Sequence, residues 1–336
     1  MGGHLFFLLF VYLAAQDFFV CVKSTPDTPA NCTSPAIRVE WNTFTDEEKA
    51  AYFDAELCLF KAPAQTSIPG VTSRYEDLVG VHSEQSDIYA DNDTWHLTGQ
   101  FLAVHRYYLY THETLLRKEC GYTGLIPYWN EVPDAGSFAN ASTILDFGGE
   151  GDTESDYAVT SGPFANLTAH LGPGAENANH LVTRRLDAES SLYAGQSYVD
   201  AVNNETAFAD FQKNLFNTLH DAGHAGVGGD MLNIMTSPND PIFWLHHAYL
   251  DYVWWKWQGD DESRIHDLTD VGYETQGEPS TGYVETNEGT VLYVYDIIPS
   301  ITVGDVLYTK GGYLCYIYVT QAAEMTWKNF SPSRGE

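Results

Sequence analysis

The stretch "NDPIFWLHHAYLDYVWW", Asn239 to Trp255, carries the pattern on which the fold turns. At about 100° per residue, Phe243, His247, Leu250, Asp251 and Trp254 fall on one helix face. His246 and His247 are about 100° apart, so only His247 points where Phe243 points. An imidazole among aromatic side chains is costly to leave without a partner. Just upstream, "LHDAGHAGVGGDM" (Leu219–Met231) sets His220 and His224 four residues apart. That spacing puts both on one helix face, one turn apart, as a shared metal needs.

Three further helices are read around this one. "WNTFTDEEKAAYFDAELCLF" (Trp41–Phe60) is helical, with Thr45 as N-cap and acidic residues in its first turn. A second helix runs from about Phe101 to Lys118, and a third lies within Tyr198–His224. The segment from Asn130 to Asp187 is rich in Gly, Pro, Ser and Asn, a long loop of the kind that lines functional sites. After about Val271 the texture becomes short β-type runs. The expected architecture is mainly α: a four-helix bundle whose side chains meet in the middle, with long loops and a short β-rich C-terminal tail.

A third histidine cluster lies in "GVHSEQSDIYADNDTWHLTGQFLAVHRYYLYTHE", with His82, His96 and His105. Nine residues separate His96 from His105, half a turn out of phase, so His96 is expected on a loop before the helix, and His82 on a loop too. His112 lies about 10 Å further along the axis than His105, too far to join the same metal. Three plus three histidines without a carboxylate suit copper or zinc. A zinc protease would spell HExxH, and here Asp221 stands in the glutamate's place. Paired hydrolytic zinc sites usually recruit bridging carboxylates, so two copper ions, each on three histidines, account for the pattern better.

"HLTGQFLAVHRYYLYTHE" and "NDPIFWLHHAYLD" resemble the two copper signatures of the tyrosinase, catechol oxidase and hemocyanin family. "ECGYTGLIPYW", "TSGPFANLTAHLGPG" and the tail "TVGDVLYTKGGYLCYIY" extend the resemblance over nearly the whole chain, toward the short secreted fungal polyphenol oxidases. It implies a binuclear copper site: His82, His96 and His105 for the first ion, His220, His224 and His247 for the second. It makes His246 a non-ligand neighbour lining the site and Phe243 the ring beneath the pair. Asp251, one turn after His247, is expected to fix an imidazole. Arg106 and Glu113 are expected to form a structural hydrogen-bonded set.

The implied chemistry is oxidation of o-diphenols by O2 to o-quinones, with monophenols or o-aminophenols as alternatives; the departures that follow bear on monophenol hydroxylation and not on the copper site. Asp221 replaces a frequent asparagine, and no carboxylate lies between Gln212 and Leu219, where a phenol-deprotonating partner is expected. Asp221 itself is then the candidate base, and it brings negative charge that favours amine-bearing phenols. Ala225 is small and leaves the entrance open. No cysteine stands near His82 for a thioether crosslink, and Val104 replaces a usual aromatic residue. A dedicated oxidase acting on one secondary metabolite or tyrosine-containing peptide uses the same residues. A non-catalytic O2 carrier is the reading from another class, and the short tail, without a shielding domain, speaks against it.

The 46 acidic and 16 basic residues give a net charge of −30, which argues against nucleic acid or anionic membrane as partner. The apolar run from Leu5 to Val22 reads as a secretory signal, giving a leader at 1–22 and one copper domain at 23–336, with a helical core at about 41–260 and a β-rich tail at about 271–320. Six N-x-[ST] sequons, at Asn31, Asn92, Asn140, Asn166, Asn204 and Asn329, fit a secreted protein carrying N-glycans. With Cys21 set aside, Cys32, Cys58, Cys120 and Cys315 suit two disulfides, and spacing leaves all three pairings open.

Overall fold

Local capping starts the helices that carry the site. Thr45 accepts a hydrogen bond from the Glu48 amide while the Glu48 carboxylate reaches back to the Thr45 amide, a reciprocal cap that opens α1 (Asp46–Lys61). Ser73 caps α2 (Arg74–Gln85) through the Glu76 amide. The computed structural model, which describes residues 32–89, 92–311 and 313–319, continues with α3 (Phe101–Glu119) and α4 (Gln196–Asn203). α5 (Phe208–Leu215) runs without a break through a five-residue π turn (Phe216–His220) into α6 (Asp221–Val227). The last long helix, α7 (Ile242–Asp260), is buried on nearly every face of its first three turns. The leader at 1–22 and the sequons at Asn31 and Asn329 lie outside the described residues.

The expected bundle is present with one change of membership. α2, α3, the α5–α6 rod and α7 surround the histidines, while α1 packs outside against α2 and α3. His82 therefore sits on a helix, not on a loop as the sequence reading had it. Every residue of α2 from Arg74 to His82 is buried, so its charged residues Arg74, Glu76 and Asp77 lie inside rather than on a solvent face. His96 does lie in a loop, beside Leu97, whose φ of 52° turns the chain into α3.

A small sheet braces the middle of α7. β1 (Ala36–Glu40) is its centre, with β2 (Ile126–Tyr128) and β3 (Tyr316–Tyr318) parallel on either side; Arg38 stands opposite Ile126 and Tyr318. Cys32–Cys315 ties β1 to β3, and Cys58–Cys120 ties α1 to α3. Asp251 points into this corner, away from the imidazoles. It accepts from Arg106 Nε at 2.6 Å, Arg38 at 3.0 Å, and the Tyr316 and Tyr318 hydroxyls at 2.6 Å each. Burial works to raise its pKa, but the two guanidiniums and two hydroxyls outweigh it and hold the carboxyl below its ordinary range. The expected imidazole-fixing role of Asp251 is thus replaced by a structural one. Glu113 joins the same set through Arg38 and Arg117, as expected.

The long loop is pinned to the start of α7. Arg184, fully buried, makes a paired contact with Asp240 at 2.6 and 2.8 Å and donates to the Phe147 carbonyl. The sequon asparagines Asn140, Asn166 and Asn204 are solvent-exposed. Among the described residues no helix is long and apolar enough to cross a membrane.

Candidate metal centre

Two groups of three histidines converge in the middle of the bundle: His82, His96 and His105, and His220, His224 and His247. Within each group one nitrogen from every ring lies within 4.8 Å of the others. α2 brings His82 and α3 brings His105; the π turn ends on His220, α6 adds His224 and α7 adds His247. The groups abut, with the His105 and His247 rings stacked at 4.5 Å. All the pairings expected from the sequence are therefore brought together. His112 stays outside, stacked on Trp244 at 3.9 Å and 2.8 Å from Glu56.

Backbone carbonyls set the direction of the rings. The Nδ1 of His82 donates to the Met235 carbonyl at 2.9 Å, that of His105 to Phe101 at 2.8 Å, and that of His224 to Met231 at 2.6 Å. A carbonyl only accepts, so these protons sit on Nδ1 and the Nε2 lone pairs face inward. His220 Nδ1 approaches Asp221 Oδ1 at 3.3 Å, and His96 Nδ1 lies 3.3 Å from Asp93 Oδ2.

This arrangement fits a metal. The Nε2 atoms of His82, His105 and His220 are buried with no hydrogen-bond partner among the described residues. His224 Nε2 faces His247 Nε2 at 3.2 Å, so the two ring nitrogens converge on one point. Burial, reinforced by the neighbouring imidazoles, holds the pKa of His82, His105, His220, His224 and His247 well below 6.5. Five rings are thus kept neutral, the form that binds metal. An all-imidazole donor set suits copper or zinc.

Phe243 lies beneath both groups, its ring 4.1 Å from that of His247, 5.4 Å from His82 and 6.0 Å from His224. His246 is fully buried and packs 4.9 Å from His224. Its Nδ1 meets Glu131 Oε1 at 2.6 Å. Gly223 makes room for it, since a Cβ at Gly223 would overlap the His246 ring. Asp221 is more than half exposed at the rim, its pKa raised by partial burial.

Sequence reasoning missed Glu131, Asp93, Gly223 and the two carbonyls of the Met231–Met235 turn. Asp93 is buried and accepts from the Trp95 and His96 amides at 2.9 and 2.7 Å, which fixes the His96 loop. One signal was available for α2: Ser73 three residues before Glu76 is a helix-start signature.

The model of the common central domain of tyrosinase matches residues 72–260, which spans all six histidines. The chain belongs to the tyrosinase family, and it is a copper-dependent oxidoreductase. It is 32% identical to tyrosinase ustQ of Aspergillus flavus over 88% of this chain and 82% of that one. It is 28% identical to the N-acetyl-6-hydroxytryptophan oxidase ivoB of Emericella nidulans, covering 91% of this chain and 98% of the relative. A polyphenol oxidase variant from Thermothelomyces thermophila has a similar structure, with a TM-score of 0.75 and 29% identity over 85% of this chain and 89% of the other.

Proposed function

We propose that the protein is a dicopper oxidase of o-diphenols, with His82, His96 and His105 holding one copper and His220, His224 and His247 the other. The observation that carries this reading is the pair of inward-facing imidazole sets with unpartnered Nε2 atoms. When bound, the copper pair supplies O2 binding and two-electron oxidation of a catechol to a quinone. The chain's own residues then do the rest. The carbonyl-held imidazoles orient the ions, and Phe243 closes the floor against water. Asp221 at the rim takes up a phenol proton or holds a cationic substituent, and the small Ala225 leaves the approach open. His246 acts from behind the second set rather than by touching substrate.

A second reading, a dedicated biosynthetic oxidase with one metabolite, aminophenol or tyrosine-containing peptide as substrate, draws support from the likeness to N-acetyl-6-hydroxytryptophan oxidase along almost the full length of both chains. Secretion and N-glycosylation belong to the same proposal, supported by the two disulfides and the exposed sequons. Oxygen uptake by the copper-loaded protein, offered a catechol and then the matching monophenol with His224→Ala as blank, tests the main reading. Uptake with catechol is the expected result. A protein holding two coppers that consumes no O2 with any simple catechol rules out the general diphenol oxidase and leaves the dedicated oxidase or a non-catalytic O2 carrier.

A further inference from the structure

One turn touches both histidine groups. The Met231 carbonyl holds His224 and the Met235 carbonyl, four residues on, holds His82, a member of the other group. We propose that Asp230 is a positioning residue for both copper sites at once, and that the turn it anchors couples the loading of one site to the other. The proposal rests on the six-histidine reading above.

The turn is tied at one point. Asp230 is buried, and its carboxylate accepts from the Thr183 amide at 2.8 Å, the Thr183 hydroxyl at 2.9 Å, His180 Nε2 at 2.8 Å and Asn239 Nδ2 at 3.3 Å. The Asp230 amide returns a bond to the Thr183 carbonyl at 3.1 Å. The second nitrogen of His180 meets the Ala178 carbonyl at 2.9 Å. Both ring nitrogens thus face acceptors, which favours the cationic ring opposite the carboxylate. From this anchor the chain leads directly into Met231, and the Asn233 amide closes on the Asp230 carbonyl at 3.0 Å. Asn233 Oδ1 then receives the Met235 amide at 3.2 Å.

The turn has no slack on its inner side. Gly228 and Gly229 adopt φ of 64° and 57°, and a Cβ at either would run into the carbonyl of Arg185 or Thr183. On its other side a cavity of about 420 Å³, bordered by His180, Thr183, Gly229, Asp230 and Asn233, offers space for the turn to move once the anchor is lost. Any such movement shifts two carbonyls, and with them one imidazole of each set. Filling one site fixes the turn for the other, and this coupling is reciprocal by linkage.

The test is titration of the metal-free protein with Cu(I) against a competing chelator, with thermal unfolding of the metal-free form measured alongside. The wild type is expected to load two coppers cooperatively. Asp230→Ala is expected to weaken both sites together by about tenfold or more, the effect of losing an outer partner of metal ligands, and to make loading independent. Asp230→Asn, which keeps one acceptor oxygen, should fall between. His224→Ala should remove one copper only. Should Asp230→Ala not fold, Thr183→Val withdraws a single hydroxyl from the anchor and is expected to weaken both sites to a smaller degree. Independent loading in the wild type, or weakening confined to the His224 site, overturns the proposal. A wild type that binds fewer than two coppers overturns the six-histidine reading instead.

Discussion

Glu131 Oε1 and His246 Nδ1 meet at 2.6 Å with both side chains fully buried. Burial raises the Glu131 pKa well above its ordinary value and lowers that of His246 to about 3. The same desolvation thus drives both toward their neutral forms, a carboxylic acid donating to an imidazole nitrogen. Glu131→Gln keeps a donor at that position and is expected to change stability little. Glu131→Ala strands His246 and is expected to cost about 1–3 kcal/mol. Urea unfolding of the two variants, read against wild type, distinguishes them. Equal losses would mean that the pair is ionic.

Gly223 is the residue that lets His246 lie between α6 and α7. Gly223→Ala forces the imidazole away or the helices apart, an overpacking cost of about 1–3 kcal/mol. Because Gly223 is followed by His224, the displacement acts on the second histidine set first. The expected result is a protein that keeps one copper and loses affinity for the other, read by copper analysis after dialysis.

Asp221 stands at the rim, more than half exposed, so its field is screened by solvent. Asp221→Asn is expected to lower kcat/KM for an amine-bearing catechol about two- to fivefold relative to a neutral one, the range for an exposed ion pair. Added salt should shrink the difference. An equal loss for both substrates would assign Asp221 to the proton or to His220 rather than to substrate charge.

The buried histidines make the stability of the metal-free protein depend on pH. Five of them are held well below 6.5, the ordinary value that the unfolded chain recovers. Below about pH 6.5 the unfolded chain binds protons that the folded one refuses, so stability falls with pH. The loss grows with each pH unit below that value for as long as the folded rings stay neutral. The Tm of the metal-free protein should drop steeply between pH 7 and 5. Above pH 7 these groups are neutral in both states and add no slope.

What the sequence made legible was whatever is encoded locally. His220 with His224, and His247 set on the Phe243 face, can be seen because helix phase alone brings them together. His96 was separable from His105 by the same arithmetic. What stayed hidden depends on distant partners or on full burial. Asp251 is correctly placed in phase with His247, yet it turns to Arg38, 213 residues earlier in the chain. Glu131 meets His246 across 115 residues. α2 stayed hidden because its charged residues Arg74, Glu76 and Asp77 are buried beside its apolar ones, so no solvent face marks its period.

The π turn at Phe216–His220 adds one residue to the rod between the apolar anchor of α5, Phe208, Phe211 and Leu215, and the two histidines beyond it. Its wider turn takes up that residue, so the chain beyond keeps the phase of a regular helix one residue shorter. Regular winding through all the same residues would instead swing His220 and His224 about 100° around the axis relative to that anchor. The resulting chain would spell both histidines correctly, fold its helix well and present neither nitrogen to a metal. The second set of this oxidase is therefore written as a count of residues as much as in their identity.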